Sequence, residues 1–264
     1  RRHPATSMAR VTTTQPALAL RGMVKHFGSK VAVGGVDLDV PTGSFFGLVG
    51  PNGAGKTTLL SMATGLLRPD RGQVFVRGTD LWADPLAGKR QLGILPDGMK
   101  LFDRLSGAEL IHYAGVLRGM DPGVVHERRA ALLAALDLEA AANVLVVDYS
   151  AGMTKKIALA TALVHAPPIL VLDEPFEAVD PVSAGVIRQI LRTYVGNGGT
   201  VVLSSHVMEV VESLCDHVAV MAEAHVRAAG PLDEVRAGRS LQDRFIELVG
   251  GGRDEVEGLE WLRT

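Results

Sequence analysis

The chain has 264 residues, of which 47 % are hydrophobic and 21 % charged, with a formal net charge of −2 and a pI near 6.5. This is ordinary for a globular protein with one substantial core or a core plus an inserted lobe; it excludes a largely disordered chain and gives no electrostatic reason to expect a nucleic-acid partner. The longest apolar stretch, 157–172, is broken by His165, Pro167 and Pro168 and does not span a bilayer.

Residues 1–16 carry Arg1, Arg2 and Arg10 among Ser and Thr without a following apolar block, and predict a disordered leader. Apolar and polar residues then alternate over 17–23 and 36–40, on either side of a turn-like stretch at 25–29, which predicts paired antiparallel strands. Beyond them come a strand at 45–50, a helix at 55–65, a strand at 73–77, a helix at 84–91 and a strand at 92–95. That βαβ rhythm implies a largely parallel sheet.

Between that first strand and helix stands Gly50-Pro51-Asn52-Gly53-Ala54-Gly55-Lys56-Thr57-Thr58. Gly50, Gly53 and Gly55 lack a Cβ, so the backbone can aim successive N–H groups at phosphate oxygens. Lys56 supplies a point charge, Thr57 a hydroxyl for Mg²⁺, and the following helix its positive dipole end. A nucleoside triphosphate site follows, because the apolar run before the loop and the helical spacing after it are the context that the motif requires.

From 96 to 152 the rhythm changes, since 109–117 and 124–136 carry helical spacing with no strand between them, predicting an inserted helical lobe over about 98–153. Ser106 with Glu109 reads as a capping box, and Asp121-Pro122 as a cap followed by proline at the first helical position. Alternation then resumes with helix 153–164, strand 169–172, helix 182–194, strand 200–204, helix 207–214 and strand 217–221. Cys215, alone of its kind and flanked by acids, reads as an inert helix residue in a reducing compartment. From 231 onward the spacing is helical and charged, a peripheral extension with a glycine joint at 250–252. The expected division is thus 1–16 leader, 17–230 nucleotide-binding domain and 231–264 extension.

Ile169-Leu170-Val171-Leu172 is the pattern of a strand buried on both faces, and it delivers Asp173 and Glu174 at its carboxyl end. Asp173 there can hold Mg²⁺, and Glu174 can orient or deprotonate an attacking water. A second strand end presents Ser205-His206, where a histidine can contact the terminal phosphate.

Lys56 is followed 94 residues later by Ser150 of Tyr149-Ser150-Ala151-Gly152-Met153; Asp173 comes 23 residues after Ser150, and His206 another 33 on. In order and spacing this resembles the nucleotide-binding subunit of ATP-binding-cassette (ABC) transporters over 18–248, most of all the exporter branch with separate permease subunits. Leu105-Ser106-Gly107 is closer in letters to the family's usual signature, but it lies too early, before both lobe helices.

The resemblance implies an α/β P-loop NTPase core with an N-terminal antiparallel β subdomain and an inserted α-helical subdomain. It implies an ATPase using ATP and Mg²⁺, with Lys56, Glu174 and His206 catalytic and Thr57, Asp173 and Asp97 around the metal, Asp97 standing where the family usually has glutamine. Phe27 would stack on adenine, and Ser150 and Gly152 would touch the γ-phosphate held by a second subunit's loop. Implied partners are a homodimer or heterodimer mate and a transmembrane permease, at the cytoplasmic face of the cell membrane. A weak regulatory partner in a heterodimer and a soluble non-transport cassette are the alternatives; the altered signature allows the first, and the second usually carries tandem cassettes.

Overall fold

A computed structural model describes residues 15–98 and 100–250. Most of the expected leader and all of 251–264 lie outside that range.

β1 (Leu18–Phe27) and β2 (Lys30–Val40) form an antiparallel hairpin turning at Gly28, whose φ of 60° suits glycine. β4 (Arg71–Val76) lies against β1 and β5 (Thr79–Asp80) against β4, giving the antiparallel order β2-β1-β4-β5. Here the chain departs from expectation, because the strand placed in the βαβ series belongs to this separate sheet. Its exposed first half, Arg71 to Gln73, is that of a strand with a solvated face, whereas strands of a parallel sheet are apolar throughout.

The second sheet contains β3 (Phe45–Val49), β6 (Leu92–Leu95), β7 (Ile169–Leu172), β8 (Thr200–Ser205) and β9 (His217–Ala222), all parallel, with β10 (His225–Pro231) antiparallel at one edge; the order is β10-β9-β3-β8-β7-β6. β10 was absent from the sequence-based expectation. Its residues alternate between exposed and half-buried, too weakly apolar to announce a strand, and pairing with β9 is what makes it one.

Side-chain alternation explains why this sheet is buried twice. Phe46, Leu48, Val171 and Val202 face a core shared with Leu20, Met23 and Val74 of the first sheet, while Phe45, Val49, Leu172 and Leu203 face a second core. Into that second core pack α3 (Gly107–Leu117), α4 (Pro122–Ala135) and α5 (Ala151–Leu163), through Ile111, Leu133 and Ile157. The caps sit where the sequence puts them: Ser106 and Glu109 form the reciprocal box on α3, and Asp121 accepts from Gly123 and Val124.

The remaining helices are α1 (Lys56–Ala63), α2 (Pro85–Arg90), α6 (Pro181–Gly196), α7 (Met208–Leu214), α8 (Leu232–Arg236) and α9 (Leu241–Val249). Leu232, Val235 and Leu241 enter the second core, so the described residues from 232 to 250 pack against the body. Cys215 is the residue that caps α7 rather than part of the helix; burial, then the charge of Asp216, raises its thiol pKa and leaves it unreactive. Among the described residues no helix is long and apolar enough to cross a membrane.

Because β3, β7 and β8 are parallel neighbours, their carboxyl ends open at one edge. Val49 pairs with Ser205, and Leu172 with Leu203, so the Gly50 loop, Asp173-Glu174 and His206 emerge side by side.

Candidate nucleotide-binding site

The loop between β3 and α1 is shaped by close backbone approaches. A Cβ on Gly50 would lie 2.3 Å from the carbonyl oxygen of Met221, and one on Gly55 2.2 Å from that of Ala32. Gly55 also has φ 104° and precedes α1 with no side-chain cap, so the first amides of that helix are not satisfied by a capping side chain. Lys56 is only 6 % exposed, and its ammonium donates to the carbonyl oxygens of Gly50 at 2.8 Å and Pro51 at 3.4 Å. Glu174 Oε1 stands 3.8 Å from the same nitrogen.

Asp173 is buried at the end of β7, where the Ser204 hydroxyl donates to its Oδ1. The same Ser204 oxygen accepts from the Glu174 amide at 2.9 Å. Glu174 has a left-handed backbone, φ 46°, which costs a non-glycine residue about 1–3 kcal/mol. Its carbonyl accepts from the Lys155 ammonium at 3.0 Å and from the Glu177 amide at 3.2 Å. A hydrogen bond to a charged donor contributes about 1.5–3 kcal/mol, enough to offset such strain. On the carboxylate, Oε2 lies 3.1 Å from His206 Nδ1.

Lys56, Glu174 and His206 line a cleft of about 510 Å³ together with Phe27, Asn52, Gly53, Gly55, Thr57, Thr58 and Asp97, while Asp173 is buried and does not line it. Phe27 is 52 % exposed, leaving ring surface free for stacking on a base. Asp97 is exposed and accepts from the Gly98 amide. A larger cavity, about 810 Å³, is lined by Leu132, Pro167, Ile190 and Tyr194 and includes none of these residues; it is apolar and unsuited to phosphates.

Ser150 and Gly152 are not in the cleft. Ser150 caps α5, accepting from the Met153 amide, and Gly152 packs so closely on α6 that a Cβ would lie 2.8 Å from Asp180 Oδ2. Asp180 caps α6, and the Ser183 and Val182 amides hold its carboxyl below the usual carboxylate range. One chain therefore brings together Phe27, 50–58, Asp97, Asp173, Glu174 and His206, and leaves Ser150 and Gly152 apart. Sequence reasoning missed Ser204 and Lys155. A polar Ser204-Ser205 pair closing an apolar strand was a legible signal for the first, whereas a lysine in a helix gives none.

A family model described as ABC transporter matches residues 33–177. The Nod factor export ATP-binding protein I of Rhizobium sp. (strain N33) is 34 % identical over 92 % of this chain and 80 % of its own length. The daunorubicin/doxorubicin resistance ATP-binding protein DrrA of Streptomyces peucetius is 35 % identical over 89 % of this chain and 71 % of its own. The chain belongs to the ABC transporter family. A solved ATP-binding subunit of an ABC transporter superposes with a TM-score of 0.82 at 27 % identity, over 88 % of this chain and 99 % of that one. This ABC subunit is accordingly an ATP-binding and ATP-hydrolysing protein with the P-loop NTPase fold.

The donor set suits a metal bound with its substrate rather than in a protein cage. Among the described residues no group of three or more His, Cys, Asp or Glu side chains could hold an ion. The Thr57 hydroxyl and the Asp173 carboxylate are hard oxygen donors of the kind Mg²⁺ takes when phosphate oxygens complete its shell.

Proposed function

We propose that this ABC subunit pairs with a second ATPase subunit around two Mg·ATP and powers a separate transmembrane permease at the cytoplasmic face of the cell membrane. The observation that carries the pairing is the separation within one chain of the phosphate cleft from Ser150 and Gly152. The start of α5 has backbone amides beyond the one Ser150 caps, and neither Ser150 nor Gly152 lines this subunit's own cleft, so a partner's nucleotide is what they would meet.

Within each site Lys56 and the loop amides neutralise the β- and γ-phosphates, Phe27 stacks on adenine, and Asp97, Thr57 and Asp173 surround the metal position. Bound Mg²⁺ supplies charge neutralisation on the phosphates. Glu174 accepts a proton from, or orients, the attacking water, while His206 steadies its carboxylate and reaches toward the γ-phosphate. The ATPase domain spans 17–230, with the helical lobe at 98–153 between the loop and Asp173. Export of a drug-like or lipid-like compound is supported by the two relatives, one named for Nod factor export and one for daunorubicin/doxorubicin resistance.

The test is oligomeric state with hydrolysis blocked. Glu174→Gln with saturating Mg·ATP, alone and with membranes carrying its permease, is expected to run as a dimer by light scattering and to return to monomer in ADP. A monomer under every condition overturns the pairing, and failure of any membrane protein to copurify with the chain overturns the coupling.

A further inference from the structure

Two consecutive lysines on α5 do similar things to two different places. Lys156 donates to the carbonyl of Asp137, which has φ 53°, and Lys155 donates to the carbonyl of Glu174, with φ 46°. Each ammonium thus reaches 19 residues along the chain to the carbonyl of a residue whose backbone is left-handed, a conformation L-residues adopt reluctantly. Only one of those residues stands in the nucleotide cleft.

We infer that Lys155 is a positioning residue for hydrolysis: by gripping the Glu174 carbonyl it holds the left-handed turn that keeps the Glu174 carboxylate between Lys56 and His206. This rests on the assignment of Glu174 as the group that aims water. The backbone of Glu174 is then held from both sides, its N–H by Ser204 on β8 and its C=O by Lys155 on α5. Its carboxylate faces Lys56 at 3.8 Å through one oxygen and His206 at 3.1 Å through the other. Release of the carbonyl lets φ relax toward the negative values that glutamate prefers, and a rotation there swings the side chain out of line. Lys155 itself does not line the phosphate cleft, so it acts through Glu174 and not on the nucleotide. It also stands on the helix that begins at Ser150, which makes it a rigid link between that helix start and the hydrolytic carboxylate.

The experiment compares wild type, Lys155→Met, Lys155→Arg and Lys156→Met in the full-length chain. Steady-state ATP hydrolysis gives kcat and KM, and a fluorescent ATP analogue gives nucleotide affinity. Lys155→Met is expected to lose tenfold or more in kcat with affinity within twofold of wild type, and Lys155→Arg to recover at least a third of the wild-type rate. Lys156→Met serves as the structural control, expected to lower thermal stability while keeping kcat within threefold. A Lys155→Met rate within twofold of wild type, or a loss that Lys156→Met reproduces, overturns the inference. Hydrogen exchange provides a readout independent of turnover: in Lys155→Met the Glu174 and Glu177 amides should exchange at least tenfold faster while β7 stays protected, and unchanged exchange there overturns the grip itself. Absence of hydrolysis in the wild-type chain counts against the catalytic assignment of Glu174, and exchange then decides Lys155 by itself.

Discussion

His206 Nδ1 lies 3.1 Å from Glu174 Oε2, joining the ends of β8 and β7 across the mouth of the cleft. Because the opposite oxygen of the same carboxylate faces Lys56 at 3.8 Å, the glutamate is suspended between two nitrogen groups. Glu174→Gln retains the shape but lacks the basic oxygen. Turnover is expected to fall by a factor of 10² or more with ATP affinity preserved, measured by single-turnover hydrolysis and calorimetry. His206→Ala should behave similarly but more mildly, and near-normal turnover in either variant removes that residue from the chemistry.

Lys56 keeps its ammonium against the Gly50 and Pro51 carbonyls, ready to meet phosphate oxygens at the helix start. Lys56→Ala deletes that charge and removes a donor from the Gly50 carbonyl, while the Pro51 carbonyl keeps the Ala54 amide. ATP affinity is expected to drop at least tenfold, in contrast to the Glu174 variant; equal affinities for Lys56→Ala and wild type would falsify the cradle.

Gly53 and Gly55 separate two causes for a loop glycine. Both have left-handed φ, 81° and 104°, but a Cβ on Gly53 meets nothing within 4 Å, whereas one on Gly55 would sit 2.2 Å from Ala32 O. Gly53→Ala should cost only backbone strain, about 1 kcal/mol or slightly more. Gly55→Ala must also push the loop off β2, so it should melt at a lower temperature and bind ATP more weakly than Gly53→Ala. Identical melting and binding curves would show the contact to be inconsequential.

Acid should destabilise the fold through His165. Its Nε2 bonds the Leu92 carbonyl at 3.1 Å, while its buried Nδ1 has no partner among the described residues. Burial, reinforced by the charges of Arg118 and Arg128 and opposed by the Leu92 bond, lowers its pKa from 6.5 to about 4. Between those values the unfolded chain binds the proton and the folded chain does not, so stability falls as pH drops from 6.5 to 4. For a ring that is only partly buried the loss is on the order of 2 kcal/mol. Urea titrations at pH 7 and pH 4.5 should show a smaller difference for His165→Gln than for wild type; equal differences would place the acid sensitivity elsewhere.

Much of this was written locally in the chain. Ile169 to Leu172 announced a doubly buried strand, the Gly50 loop the tight turn from β3 into α1, and Ser106 and Asp121 their helix starts, because each depends on neighbours within a few residues. What escaped depends on distance along the chain. β4 joins the antiparallel sheet because β1, some fifty residues earlier, offers it an edge, and β10 becomes a strand only beside β9. Lys155 looks like any solvent-facing lysine until the fold brings the Glu174 carbonyl to it. The same distance effect divides the site, since Ser150 and Gly152 share the motif order of the cleft residues but not their location.

Ser204 has one hydrogen to give, and it gives it to Asp173 Oδ1 while its oxygen accepts from the Glu174 amide. It ties down one Asp173 carboxylate oxygen from within and leaves the other free of this tether. A single hydroxyl thereby ties two consecutive residues at the end of β7 to β8, and trimming it to a methyl would unsettle both with one stroke.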